Sequence, residues 1–553
     1  MGSKLNNGYV GSNELEFVNT RGYSETSGKG ILSGTKNYLE EEKKQWRHES
    51  DWVRNPQWLE MPEIPEGEEK VCVLVAILPN VSDEINTYGV NFRDNYEVDW
   101  GDGTTGAYTS TTTNTHVYDF NSIDVSTETD EGYRQVIITV TPQAGQNLTR
   151  MYWNITSEID GIRSEYYKNH LDMVARLPNT SCTYTQIPIS QKLERVIIHE
   201  WDGSGTCQSM FQSRRALEYV EIPDAPSATS VYLMFNSCVK LKYPPYFDTS
   251  GVTEFRNMFG GCDDLRRVPK YDFSSATSVR QMFVGCRDLR YVPDLNLTSS
   301  CTDARELFNS CFSLRECPDL GDTTGIQLAE YMFQYCYGIK EIELNLPSCT
   351  NAIWAFRECV NLEKAKVTFN NSIDSNLSYL FYGCEKLQTA DLQGTSICTV
   401  VPEMFRGCTR LRGVTMDTSS VTNSFRLFRY CSNLRSYPTG MQTSTWTYGD
   451  RIFEENLRIE EMNNVDFSNL TSMPYIFSYM RSLREVTGIT GPSVTHTWEY
   501  CPLEADSIRN IINGLPTVVG QTVSFYRTAG VLSGGVTAGD IAVATGKGWT
   551  VTT

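Results

Sequence analysis

This 553-residue chain is poor in histidine and carries fewer basic than acidic residues. Its five histidines lie in separate segments, and none stands in a Ser or Cys nucleophile motif, which argues against triad-type catalysis. The 48 basic residues face 67 acidic ones, so the net charge of -19 repels nucleic-acid phosphates and anionic membranes. We therefore expect no nucleic-acid partner and no enzymatic site of this kind.

Long hydrophobic runs are also missing. No stretch approaches the roughly 18 apolar residues of a membrane span, and the opening MGSKLNNGYVGSNELEF lacks the apolar core of a signal peptide. We expect neither membrane insertion nor export by the general route. The 17 cysteines are odd in number in a long chain, so buried, reduced thiols are expected rather than a disulfide framework.

What the chain does contain is a repeat. Phenylalanine recurs every 23 to 25 residues, with Cys three positions later in nine of twelve units and Leu or Ile six positions later. The twelve repeat phenylalanines are Phe211, Phe235, Phe259, Phe283, Phe308, Phe333, Phe356, Phe381, Phe405, Phe428, Phe453 and Phe477. Such a period predicts a solenoid in which neighbouring units bury each other's apolar side.

Each repeat has an internal pattern that predicts its local structure. In one unit Val279, Met282, Phe283 and Cys286 fall at i, i+3, i+4 and i+7, which predicts one apolar stripe on a short helix. A Pro-stopped apolar segment follows as a strand, and Asp, Ser and Thr return the chain to the next helix. The structural core is expected to contain ladders of Phe, Cys and Leu, as in Phe259, Cys262, Leu265, Phe283, Cys286 and Leu289.

The residue two positions after the repeat leucine varies while the Phe, Cys and Leu positions are kept. Its side chains should therefore point away from the core and line one face of the solenoid. This row contains Tyr219, Tyr243, Arg267, Tyr291, Glu316, Glu341, Lys364, Thr389, Gly413, Ser436, Glu461 and Glu485, and the position two after the Phe adds Tyr335, Tyr430 and Tyr479. Tyrosine offers contact area at low entropic cost, which favours a partner or receptor face. A solvated sheet face, on which Tyr merely has good strand propensity, explains the row equally well.

The rest of the chain divides into three further parts. Residues 1–65 combine a polar lead with Trp46, Trp52 and Trp58, which need a surface to dock on and are candidate anchors. Residues 66–200 carry strand-like runs that predict an antiparallel β-sandwich. After the repeats of residues 201–494, a longer helix and further strands at 495–553 predict a C-terminal cap.

Candidate metal and catalytic groups have simpler explanations. Asp99 and Asp102 could hold calcium, but an Asp-Gly turn closing a hairpin explains Asp102-Gly103 without a metal. The imidazole of His116 is expected to find its hydrogen-bond partner in the turn that carries Asp102. The repeat cysteines lie a whole unit apart, unlike metal ligands, and no carboxylate pair stands out for glycoside cleavage. We expect no cofactor and no enzyme.

Two segments resemble known families. The repeats, as in the MFxGCxxLxxVPxxDxSxxTxV pattern from Met258 to Val279, resemble the leucine-rich repeats of bacterial BspA-like surface proteins. That resemblance implies an α/β solenoid that displays ligands in adhesion and has no catalytic residues. The stretch from Asp99 to Gly103, followed by His116-Val117-Tyr118, resembles the motifs of a PKD-like, Ig-like sandwich domain.

The combination looks like virion proteins of tailed phages, such as tail fibres, because BspA-like adhesins are exported and this chain shows no export signal. It implies assembly onto a particle in the host cytoplasm. Residues 1–65 would then bind other virion proteins, and the solenoid, in several copies, would recognise a host-surface glycan or protein. The alternatives are a capsid, collar or baseplate decoration protein that binds only virion proteins, and a bacterial surface adhesin.

Overall fold

The computed structural model describes most of the chain beyond residue 51. Its described residues are 52–83, 85–109, 113–149, 151–153, 158–159, 162–163, 169–180, 187–188, 190–202, 204–224, 227–370, 376–438 and 440–553. Trp46 therefore lies outside the described residues.

The first part of the described chain is built from strands. They are β1 (Lys70–Ile77), β2 (Thr87–Phe92), β3 (Tyr96–Asp99), β4 (Thr105–Tyr108), β5 (Asn114–Val117), β6 (Arg134–Pro142), β7 (Met151–Tyr152), β8 (Glu158–Ile159), β9 (Ile162–Arg163), β10 (His170–Leu177) and β11 (Arg195–Trp201). Short 3₁₀ turns cover Phe120–Ser122 and Val125–Thr127.

The repeat region and the C-terminal segment add short parallel strands. They are β12 (Gly205–Thr206), β13 (Tyr219–Glu221), β14 (Ala228–Ser230), β15 (Glu341–Asn345), β16 (Lys364–Thr368), β17 (Thr389–Gln393), β18 (Gly413–Thr415), β19 (Glu461–Asn463), β20 (Glu485–Thr487), β21 (His496–Thr497), β22 (Gln521–Ser524) and β23 (Trp549–Thr552). The helices described are α1 (Ala505–Gly514), α2 (Ala529–Leu532) and α3 (Ala538–Gly546), with a 3₁₀ turn at Thr323–Gly325. All of these helices are too short to cross a membrane.

A seven-stranded sheet in the order β13-β11-β10-β1-β6-β3-β4 faces a three-stranded sheet, β5-β2-β7. The strands from β1 to β6 pair antiparallel, as the sequence predicts, but β10–β11 and β11–β13 pair parallel. The larger sheet is therefore mixed, and through β13 it continues into the first repeat across the predicted boundary at residue 200. Its PKD-like assignment stays a prediction.

The central strand β1 is buried on both faces, which explains its unbroken apolar sequence. Val71, Val73, Val75 and Ile77 join the main core, whereas Cys72, Leu74 and Ala76 meet side chains of residues 52–64 on the opposite face. Residues 52–64, which precede β1, therefore cover the outer face of this sheet.

The helix predicted in each repeat is absent from the described residues between 204 and 494. The apolar stripe is buried as predicted, but its backbone forms a chain of turns, the turn segment. In eleven of the twelve repeats, the residues two before and two after the repeat Phe both have positive φ, as in Gln281 at 56° and Gly285 at 74°. Since one residue at positive φ already breaks an L-residue helix, this alternation excludes one.

Backbone hydrogen bonds of the turn segment run between repeats instead of along a helix. The Phe283 N–H donates to Leu307 O at 3.0 Å, and the Gly285 N–H donates to Asn309 O at 2.8 Å. Intervening residues bond locally, as Cys286 N–H does to Phe283 O at 3.1 Å. Each turn segment is therefore fixed in register by the next coil.

The Phe, Cys and Leu ladders are confirmed. Successive repeat phenylalanines from Phe211 to Phe477 stack with ring centroids 4.9 to 6.4 Å apart and ring planes within 23°. The repeat cysteines and leucines are buried beside them. The nine ladder cysteines are free thiols, so the ladder is a core element.

The C-terminal segment continues the coils rather than closing them as a separate cap. Trp498 stacks on Phe477 at 3.8 Å and is followed at the third position by buried Cys501, so it replaces the repeat Phe. Its N–H donates to Ser524 O at 2.8 Å, the residue before Phe525, which occupies the same place one coil later. Helix α1, predicted from the spacing of Ile508, Ile511 and Ile512, buries these three side chains against the last coils.

Candidate recognition face

The row two residues after the repeat leucine leaves the core, as predicted. All twelve of its members are half-buried or exposed. Strand or bridge pairing sets Arg267 beside Tyr291, and Glu341 beside Lys364. Their side chains interact along the row: Arg267 lies over the Tyr243 ring at 5.6 Å, and Lys364 binds Glu341 at 2.7 Å. The ligand role of this row stays a prediction.

One predicted member of the face is partly covered, and another, Glu316, is exposed as predicted. Tyr219 is partly covered by Trp52, whose ring lies 5.6 Å from it. Glu316 is exposed beside the half-buried Cys317.

Tyr335, Tyr430 and Tyr479 belong to the turn segments and not to the strand row. Each takes a positive φ, of 61°, 65° and 62° respectively. Tyr479 stacks on Tyr500 at 4.7 Å, while the other two contact arginines of the turn segments. Sequence reasoning grouped them with the strand row because their place in the coil depends on a backbone path that the helix prediction missed.

The turn segments bring together a cluster that sequence reasoning did not identify, here called the aromatic ledge. Trp354 packs edge-to-face against Tyr331 at 4.9 Å and against Tyr379 at 5.4 Å. These three rings are half-buried, and they occupy the same position, two before the repeat Phe, in successive coils. The ledge consists of Tyr331, Tyr335, Trp354, Arg357, Tyr379, Tyr382, Arg406 and Tyr430.

Arginines tie the rings of the ledge together. The Arg357 guanidinium lies 5.1 to 5.6 Å from the rings of Tyr335, Trp354 and Tyr382. Arg406 lies over Tyr382 at 5.3 Å and over Tyr430 at 5.8 Å. A cation over an aromatic face is attracted by the ring quadrupole, so the cluster is held in one arrangement before any ligand arrives.

A buried carboxylate fixes the second of these arginines. Glu403 is 5 % exposed and binds Arg406 at 2.6 Å and Arg426 at 3.3 Å. Burial works against the charge of Arg406, but its hydrogen bond to Glu403 raises the pKa of its guanidinium. Arg406 therefore remains a fixed cation with N–H groups at the surface.

Two of the three predicted anchor tryptophans contact other residues of the same chain. Trp58 is buried and donates to Tyr133 Oη at 3.0 Å, and Trp52 donates to Glu194 at 3.5 Å. Between them Arg54 binds Asp172, which is fully buried, at 3.0 Å. These contacts show that Trp52 and Trp58 dock on the sheet of their own chain, and the anchoring role of residues 1–65 stays a prediction.

The predicted contact of His116 is confirmed. His116 Nε2 lies 2.7 Å from Asp102 Oδ2, and its ring stacks on Trp100 at 5.1 Å. Asp99 and Asp102 also accept hydrogen bonds from the backbone N–H groups of Gly101 and Thr104. Among the described residues no group of three or more His, Cys, Asp or Glu side chains is arranged to hold a metal ion.

The repeats match two family descriptions. Residues 279–366 and 326–460 match the BspA type leucine-rich repeat region in six copies, and residues 205–319 match a Mycoplasma protein family of unknown function, DUF285. No curated protein matches the chain.

Among solved structures, similar chains include two bacterial leucine-rich repeat proteins. A leucine-rich repeat protein from Bacteroides ovatus is 19 % identical, with a TM-score of 0.41 over 62 % of this chain and 94 % of its own. A leucine-rich cell surface protein from Faecalibacterium prausnitzii is also 19 % identical, with a TM-score of 0.29 over 57 % of this chain and 79 % of its own. The chain thus carries BspA-type leucine-rich repeats between residues 279 and 460.

Proposed function

We propose that this chain is a non-enzymatic recognition protein whose aromatic ledge binds an extended carbohydrate on a cell surface. The observation that carries the proposal is Arg357, which bridges three half-exposed rings from three successive coils. Trp, Tyr and Arg are the residues that dominate binding energy at interfaces. Rigid rings bury contact area with little loss of side-chain entropy.

The shape of the ledge favours a chain-like ligand. The ledge follows the solenoid axis through five coils, from Tyr331 to Tyr430, with rings in four of them and Arg406 in the fourth coil, and each coil advances by about 4.8 Å. Sugar rings can lie on aromatic faces through their C–H groups, while hydroxyls accept from the guanidinium N–H groups. Repetition of a weak contact over several coils gives firm attachment when many copies act together.

The ligand-binding test uses a panel of neutral oligosaccharides built from glucose, mannose, galactose, xylose and N-acetylglucosamine, measured by calorimetry. For whichever oligosaccharide binds, Trp354→Ala should weaken binding by about 2 kcal/mol, close to thirtyfold. Arg256→Ala is the matched control, because Arg256 lies over a single ring, Tyr232, at 4.7 Å outside the ledge. Equal affinity of the Trp354→Ala variant and the native chain, or no binding to any sugar in the panel, would overturn the proposal.

The finer proposal is that the chain is displayed on a tailed-phage particle, where residues 1–51 attach it to other virion proteins. It is supported by the sequence resemblance and by the polar leader. Deletion of residues 1–51 keeps residues 52–64, which cover the chain's own sheet, and tests attachment. The deleted chain should be absent from purified particles, and its full incorporation would contradict the anchoring role.

A further inference from the structure

A second surface of the solenoid carries a periodic positive charge. The residue directly after the repeat leucine or isoleucine is Lys or Arg in eight of twelve units, although the chain as a whole is acidic. These eight residues, here called the basic row, are Lys242, Arg266, Arg290, Arg315, Lys340, Arg412, Arg435 and Arg484. Five of them follow one another without interruption.

Backbone hydrogen bonds hold the basic row in register. The Arg266 N–H donates to Lys242 O at 3.2 Å, Arg290 N–H to Arg266 O at 3.1 Å, and Arg315 N–H to Arg290 O at 3.4 Å. The charged residues are thus one coil apart, about 4.8 Å along the axis. Folding aligns like charges that the unfolded chain would keep apart.

The middle of the row is not paired with acidic side chains in the described part of the chain. Arg290, Arg315 and Lys340 are exposed and form no ion pair within the described part of the chain. On the turn segments, by contrast, Arg406 binds Glu403 and Arg429 binds Glu454 at 2.5 Å. Closely spaced cations without partners repel one another, so a polyanion that lies along them removes this repulsion.

The row continues into two clefts near the C-terminal end. One, of about 530 Å³, is lined by Arg410, Arg412 and Arg458, and a larger one, of about 1040 Å³, is lined by Arg435, Arg458 and Arg484 together with Glu460, Glu461 and Glu485. The acidic residues make this end less positive than the uninterrupted stretch from Lys242 to Lys340. The main binding surface is therefore assigned to that stretch.

Tyrosines beside the row narrow the class of polyanion. Tyr243 and Tyr291 follow Lys242 and Arg290 directly, and Tyr291 is 50 % exposed. An anionic group can bind the guanidinium while the sugar ring that bears it lies against the neighbouring tyrosine. Nucleic acid, another linear polyanion, is distinguished from an acidic polysaccharide by the test below.

We propose that the stretch from Lys242 to Lys340 binds a linear acidic polysaccharide that carries one carboxylate on each successive sugar. Each arginine binds one carboxylate through two parallel N–H···O hydrogen bonds, because the planar guanidinium matches the geometry of a carboxylate. The polymer lies parallel to the solenoid axis, with successive sugars on successive coils. This surface is separate from the aromatic ledge, and its test does not depend on ligand binding there.

The test measures binding of polygalacturonate to the full chain at low salt. Arg290→Gln with Arg315→Gln removes two unpaired charges, and binding should weaken on the order of tenfold or more. The matched control is Lys70→Gln with Lys366→Gln, which changes the net charge equally but removes cations already paired with Glu68 and Glu343 at 3.0 and 2.5 Å. The control should bind nearly as the native chain does.

Further measurements test the fold of the variants and the need for charge on the ligand. Unchanged circular dichroism and melting temperature show that the substitutions leave the fold intact. Methyl-esterified polygalacturonate, which keeps the sugars and loses the charge, should not bind. Equal weakening by both double variants, tighter binding of single-stranded DNA than of polygalacturonate, or no binding of polygalacturonate would each overturn the proposal.

Discussion

The Cys311 thiol lies 3.1 Å from the main-chain oxygen of Phe283, one coil earlier, and donates a hydrogen bond to it. The same contact recurs along the ladder at 3.0 to 3.2 Å, from Cys238 to Phe211 through to Cys431 and Phe405. A small apolar side chain with one weak donor suits a buried position facing a carbonyl. This contact explains why cysteine, rather than alanine, lies three positions after the repeat Phe.

Asn456 takes the place of cysteine in one repeat and tests that explanation. Its amide donates to Phe428 O at 2.8 Å and to Phe453 O at 2.9 Å, and the side chain is fully buried. Asn456→Ala should lower the free energy of unfolding by about 2 kcal/mol, because two buried acceptors lose their donor. Asn456→Cys restores the thiol contact and should be much milder in urea unfolding; equal destabilisation by both variants would refute the role of the donor.

The ladder thiols should be chemically silent in the folded chain. Burial raises the pKa of Cys238 to about 12 and that of Cys359 to about 12, and the thiolate is the reactive form. At pH 8 a thiol reagent should label neither residue until urea unfolds the chain, as mass spectrometry of digested peptides can show. Rapid labelling of Cys359 in the folded chain would contradict the buried ladder.

His496 should make the last coils sensitive to acid. Burial lowers the pKa of its imidazole from 6.5 to about 4, so the unfolded chain takes up the proton at a higher pH than the folded chain. The stability present above pH 6.5 is therefore lost as the pH falls towards 4, by about 3 kcal/mol. His496→Asn cannot titrate and should lack this part of the loss when urea unfolding is compared at pH 7.5 and 4.5; identical pH dependence of both chains would refute it.

The buried charge of Asp172 depends on two arginines from different parts of the chain. Arg195 donates to both of its carboxylate oxygens at 2.7 Å, and Arg54 adds a third contact at 3.0 Å. Arg195→Ala should destabilise the chain by about 3 kcal/mol, because the buried carboxylate keeps only one partner. Lys364→Ala breaks an exposed pair with Glu341 and should leave the unfolding midpoint nearly unchanged. Similar small effects of both changes would contradict the burial of this charge.

The repeat and its core could be predicted from sequence because one period places the same residues at the same depth in every coil. Val279, Met282, Phe283 and Cys286 are buried as expected. The prediction that these residues form a helix was wrong, because the spacing i, i+3, i+4, i+7 also suits a turn segment in which residues of left- and right-handed backbone conformation alternate. Glycines at 261, 285, 383 and 407, two after the Phe, were the available signal, since glycine is costly inside a helix and suited to positive φ.

The aromatic ledge could not be found in the same way. Tyr331, Trp354 and Tyr379 share a position in the repeat, but their contact with Arg357 needs the inter-coil register and the direction of each side chain. The basic row, by contrast, is visible in the sequence once the residue after the repeat leucine is compared across units. Trp498 was missed as a repeat residue because it replaces Phe after a shortened spacing of 21 residues.

The most direct test of the recognition proposal is how affinity depends on ligand length. The ledge spans five coils, or about 19 Å from the first to the last, so an oligosaccharide that binds there should gain affinity with each added sugar until it covers that length and then reach a plateau. Calorimetry with a size-graded series of the best-binding neutral oligosaccharide gives this curve, for the native chain and for Trp354→Ala. A rise and plateau in the native chain that Trp354→Ala flattens is the predicted result; a monosaccharide that binds as tightly as the longest oligomer would contradict an extended binding ledge.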